Sequence, residues 1–174
     1  MAVGFTIPAD QPDGVYVVTY DSSNQAVHTL ISDGVAARDL VEFSGQGSQA
    51  AKRNGGPLLA ARADDLTCPG GTLDRVSTDE AVAALKGQCN PNMPGAVNSG
   101  QDYYSKRGST VAYFCNFGAG SELCTVFGLT DTYQRLTNEC GLYGAGWRTV
   151  QDADHWYSIG YEDINALFCG RSHT

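Results

Sequence analysis

The placement of six cysteines constrains this chain more than any other feature. Cys68, Cys89, Cys115, Cys124, Cys140 and Cys169 all lie in its C-terminal two-thirds. Cys89 and Cys140 close segments of helical periodicity, and Cys115 sits inside a strand-like run. An even set distributed this way frames one domain with disulfides, the chemistry of an oxidising compartment. Six cysteines allow fifteen connectivities. The glycine turn Gly118-Ala-Gly-Ser121 favours a short Cys115–Cys124 loop, which leaves Cys68 and Cys169 as partners for the helix-terminal Cys89 and Cys140. Of the ways to join them, Cys68–Cys140 with Cys89–Cys169 is the expected set. Each bridge is expected to contribute about 2–4 kcal/mol, chiefly by restricting the unfolded chain.

The order of elements follows from periodicity. Gly14-Val-Tyr-Val-Val-Thr-Tyr20 and Ala26-Val-His-Thr-Leu-Ile31 are β-prone runs around the turn cluster Asp21-Ser-Ser-Asn24, which predicts a hairpin. Residues 34–66 carry glycines and alanines with no sustained period and read as a flexible linker or long loop. Lys52-Arg53 within it is a dibasic pair of the kind that processing proteases cut. Ser77-Thr-Asp-Glu80 matches a capping box, and Val82, Leu85 and Cys89 then recur at helical spacing. Residues 90–101, with two prolines, read as a loop, and residues 102–105 as a short strand. In Thr110-Val-Ala-Tyr-Phe-Cys-Asn-Phe117, Val111, Tyr113, Cys115 and Phe117 share one face while Ala112 and Phe114 take the other, which predicts a central strand buried on both sides. Leu129, Tyr133, Leu136 and Cys140 make the stripe of a second helix, with Thr125 or Thr130 as N-cap and Gly141 as its stop. Residues 146–150 and 156–161 read as strands, and residues 162–168 as one helical turn.

This order predicts an α+β fold: an antiparallel sheet packed with two helices as an α/β sandwich, disulfide-stapled, with an N-terminal β-hairpin. The expected division is a hairpin arm over residues 1–33, a linker over 34–66 and a disulfide-bonded core over 67–174.

Composition narrows the partners. Eleven basic against nineteen acidic residues leave a net charge of −8, which argues against nucleic acid, whose phosphates need clustered Lys and Arg. No stretch approaches the roughly 20 apolar residues of a membrane span. The start, Met1-Ala2-Val3-Gly4-Phe5, has neither the charged nor the apolar region of a signal peptide. The expectation is a mature secreted, extracellular chain, monomeric, with Met1 added for expression.

Catalytic signatures are missing. Gly118-Ala-Gly-Ser121 and Gly45-Gln-Gly-Ser48 do not place serine as a nucleophile elbow does. A Ser-His-Asp triad would have to use His28 or His155, and no motif supports either, while His173 falls in the terminal tail. No His-Glu-x-x-His or paired Cys-x-x-Cys offers a metal site. Neither cofactor nor metal is expected, and the chain reads as a non-enzyme. The binding signal is aromatic: Tyr143, Trp147, Trp156, Tyr157 and Tyr161 crowd one stretch and form the candidate surface for a glycan or protein partner, with sheet-core packing as the competing role.

The run Ser109-Thr-Val-Ala-Tyr-Phe-Cys-Asn-Phe117, the segment from Cys124 to Cys140-Gly-Leu-Tyr, Ala145-Gly-Trp147 and Phe168-Cys-Gly170 resemble small cysteine-rich secreted proteins of filamentous fungi. Phe5-Thr-Ile-Pro and Asp13-Gly-Val-Tyr16 resemble them too. The resemblance implies an effector or elicitor of hypersensitive responses, acting by surface recognition of a plant host or competitor component. The order strand–Cys–helix–Cys–Gly–strand is more distantly similar to smut-fungus killer toxins, so an antimicrobial toxin is one alternative. A cell-wall polysaccharide hydrolase is another.

Overall fold

Strand β6 (Thr110–Asn116) has every residue buried, and the rest of the molecule is arranged around that fact. Its alternation sends Ala112 and Phe114 into one hydrophobic cluster and Val111, Tyr113 and Cys115 into another. A strand with both sides dry must be covered by a layer on each. The computed structural model describes residues 4–33, 63–90, 95–170 and 173.

In chain order the remaining strands are β1 (Gly14–Tyr20), β2 (Ala26–Ser32), β3 (Ala63–Thr67), β4 (Ala96–Val97), β5 (Asp102–Arg107), β7 (Glu122–Leu123), β8 (Gly146–Gln151) and β9 (Trp156–Asp163). The helices are α1 (Arg75–Gln88) and α2 (Val126–Cys140). Seven strands form one sheet in the order β2-β1-β5-β6-β9-β8-β3, and every pairing is antiparallel. The fold is therefore the α+β arrangement that the sequence predicts, with both helices packed on one face.

That face holds Tyr103, Phe114, Ile159 and Tyr161 against Leu85 of α1 and Leu129 and Leu136 of α2. The back face is closed by the chain ends. Phe5 and Phe168 exchange backbone hydrogen bonds of 2.8 Å each, and both rings are buried with Tyr104 and Tyr113. Gly160 sits opposite Trp147 in the β8–β9 register. A Cβ there would lie 2.6 Å from the Trp147 Cβ and from the Tyr113 hydroxyl, so glycine is what lets the indole and phenol pack.

Several expectations shift. The hairpin is not an appended arm: β1 pairs with β5 from Gly14↔Lys106 to Val18↔Asp102, which makes it one margin of the common sheet. The end of the expected linker, residues 63–66, belongs to edge strand β3, whose Asp64 and Asp65 hid it from a search for apolar alternation. The cap of α1 lies one turn before the predicted box. Asp74 accepts from the Ser77 amide at 2.8 Å and from its hydroxyl at 2.7 Å, because Asp74 has the extended backbone of an N-cap whereas Ser77 already lies inside the helix. For α2, Thr125 is the N-cap, accepting from the Gly128 amide at 3.0 Å. Gly141 leaves the helix at φ 87°. Within 90–101, Ala96–Val97 pairs with Glu122–Leu123 as a two-stranded ribbon. Residues 162–163 prolong β9 instead of beginning a helical turn. Lys52-Arg53 lies outside the described residues. No helix among the described residues is long and apolar enough to cross a membrane.

Candidate functional site

The three disulfides are Cys68–Cys140, Cys89–Cys124 and Cys115–Cys169. The first is the pair expected; the other two exchange the predicted partners. Strand alternation explains the exchange. Cys115 points with Tyr113 to the back face, where the C-terminal segment brings Cys169 over it. Cys124 lies on the helix side, beside the end of α1 and Cys89. A bridge from Cys115 to Cys124 would have to cross the sheet.

The five aromatic residues singled out above do not form one surface. Trp147 is buried on the back face, with its ring 4.3 Å from that of His173. Trp156 tilts against Phe117, and Tyr157 stacks on Phe114 at 5.2 Å. Only Tyr143 and Tyr161 come together. They line a groove of about 320 Å³ between α1 and α2, at the lower end of the range for ligand sites.

The groove is built from three elements. Strand β9 contributes Tyr161, which stacks on Tyr133 of α2 with centroids 5.3 Å apart and planes 26° apart. Thr137, one turn beyond Tyr133, hydrogen-bonds the Tyr161 hydroxyl; burial nevertheless pushes that phenol above its ordinary pKa. The Tyr133 hydroxyl is buried and finds no hydrogen-bond partner among the described residues. From α1 come Asp79 and Lys86, seven positions apart and so on one helix face, about 10 Å from each other along the axis. The Lys86 ammonium lies 5.9 Å from the Tyr133 ring centroid, within reach of a cation–π interaction. Burial holds this lysine below its usual pKa.

Tyr143 closes the opposite end. Its backbone adopts φ 59°, a left-handed conformation uncommon for a bulky side chain, and its hydroxyl donates to Asp79 at 3.2 Å. The turn after α2 thus spends conformational strain on presenting a tyrosine to the groove, a pattern that recurs at functional sites. Leu142 stands beside it, 68 % exposed at the rim.

Sequence reasoning found Tyr143 and Tyr161 and placed Tyr133 on the inner stripe of α2, but it missed Asp79 and Lys86. The available signal was their spacing: Asp79, Ala83 and Lys86 recur at i, i+4 and i+7, one row beside the apolar stripe of Ala81 and Leu85.

The histidines take packing and orienting roles. His28 Nδ1 is 2.9 Å from the Tyr104 hydroxyl. His155 Nδ1 is 2.9 Å from Oε2 of buried Glu122, which also accepts from the Trp156 amide. His173 is buried, with Nε2 2.7 Å from Glu162 Oε2, and the Tyr113 hydroxyl donates to the same oxygen. A second depression, about 300 Å³, includes Asp64 and Glu139. There Asp64 is engaged by Arg148 and lies 3.6 Å from Arg135. No protein-family description, curated protein or solved structure matches this chain.

Proposed function

We propose that this chain is a secreted, non-enzymatic protein of effector or elicitor type that recognises a host or competitor component through the groove between α1 and α2. The observation that carries this reading is the groove itself: stacked tyrosines at its centre, a third tyrosine held at positive φ, and charged groups at its two ends. Flat aromatic surfaces with polar edges suit recognition. A glycosidase needs two carboxylates facing each other across the bond to be cut, whereas Asp79 is the one carboxylate among the residues lining this groove. In the second depression, Asp64 is committed to ion pairs. The disulfide frame and the likeness to small fungal secreted proteins in the segments around Cys115, Cys140 and Cys169 support an extracellular role.

The test is infiltration of the oxidised protein into leaves, scoring cell death and defence markers. The reading predicts a dose-dependent response in at least one host. Silence across several hosts contradicts it, and growth inhibition of competing microbes in its place would move the chain to the toxin class.

A further inference from the structure

Resting on the recognition role just proposed, we infer that the groove takes an acidic saccharide: a uronate ring seated at Lys86 and a neutral, hydroxyl-bearing ring at the Asp79 end. Three independent features converge on this ligand. The first is shape and surface, since the Tyr133–Tyr161 pair offers an aromatic platform against which the C–H face of a pyranose ring packs, in a volume of about 320 Å³.

The second is charge. In a chain with a net charge of −8, Lys86 keeps a half-buried ammonium whose neighbour is the Tyr133 ring, and no carboxylate among the described residues forms an ion pair with it. A partly desolvated cation without a counter-charge carries a cost in the free protein. A ligand carboxylate brought to that position supplies the missing partner, and within a partly water-excluded groove the pair is stronger than at an open surface.

The third feature is polarity along the groove. Asp79 and the Tyr143 hydroxyl stand at the far end, with Thr137 near the middle. Asp79 accepts from hydroxyl groups. Although its Oδ2 lies 4.0 Å from Nε of the exposed Arg75 one turn earlier, Asp79 is the charge that lines this end of the groove and disfavours a second carboxylate. An all-uronate chain therefore fits worse than one uronate followed by a neutral sugar. The groove therefore reads direction as well as charge.

The experiment is isothermal titration of the oxidised wild-type protein with three disaccharides: one uronate joined to a neutral hexose, the same compound with its carboxyl reduced to an alcohol, and an all-uronate pair. The mixed compound is expected to bind best. Loss of its carboxyl should weaken binding at least about tenfold, or ~1.4 kcal/mol. Lys86→Met should shrink that preference to within about twofold, while its unfolding transition shows that the fold is retained.

Equal binding of the acid and its reduced form by wild type overturns the inference, as does tighter binding of the all-uronate pair. Failure of all three sugars, combined with loss of the leaf response when the groove is blocked, would discard the saccharide and keep the recognition role. An anionic peptide would then be the ligand to seek. Failure of both would remove the recognition role as well.

Discussion

At position 102 a carboxylate stands where the sheet is covered on both sides. Asp102 is 4 % exposed. It accepts from the Asn116 amide at 2.9 Å and the Tyr20 hydroxyl at 3.0 Å, and it lies beside the Cys115–Cys169 bridge. Burial outweighs those two hydrogen bonds and lifts its pKa from 3.8 to about 7. The folded protein therefore holds this proton to higher pH than the unfolded chain does. Its contribution to stability is fully present below pH 3.8 and is lost as pH rises through about 7, a change on the order of 4 kcal/mol. Asp102→Asn keeps an acceptor for Asn116 and carries no charge. Urea denaturation across this window should show the variant gaining on wild type as pH rises, with the gain levelling off above the folded pKa. A difference independent of pH would contradict the assignment.

At the level of elements, periodicity made legible whatever is fixed by which side is dry. The two-sided burial of β6, the stripe of α2 and the Asp21–Asn24 hairpin turn all come from local pattern. Strand β3 was not legible, because an edge strand can be held by charge. Arg148 of β8 bonds Asp64 of β3 with both Nε and Nη2, and its Nη1 reaches Asp131 of α2 at 3.0 Å. The disulfide exchange was hidden for a related reason, since which cysteines meet depends on which layer each faces, a property of the assembled sheet. The groove was half legible: its tyrosines stand out by type, whereas Asp79 and Lys86 look like ordinary surface charges until α1 is set against α2. The β3 junction gives a prediction of its own. Arg148→Met keeps the aliphatic packing and removes the charge, leaving two partly exposed aspartates with Arg135 as the cation they share. The expected loss is about 2 kcal/mol, below that of a fully buried pair, because water reaches both carboxylates. Cys68–Cys140 anchors the same junction, so the variant should still fold. A change under about 0.5 kcal/mol in chemical denaturation would reduce the network to surface pairing.

Across the whole molecule, covalent and non-covalent ties are divided unevenly. All three bridges fall within residues 68–169, spanning separations of 72, 35 and 54. None reaches the hairpin, which is held by its ladder with β5 and by the Phe5–Phe168 bridge under a buried aromatic layer. A protease site inserted between residues 34 and 62 should therefore give two fragments that co-elute under native conditions. They should separate in denaturant without any reductant, and release of the hairpin in native buffer would show that sheet pairing alone does not hold it. The central claim, that recognition lies between the two helices, is tested most directly by filling that space. Ala83→Trp places an indole in the groove wall, and Phe127→Ser alters a residue 83 % exposed on α2 outside the groove lining. With both variants confirmed as folded and fully oxidised, the leaf response is the measurement. It should vanish for Ala83→Trp and persist for Phe127→Ser; a wild-type dose response from Ala83→Trp would contradict the account.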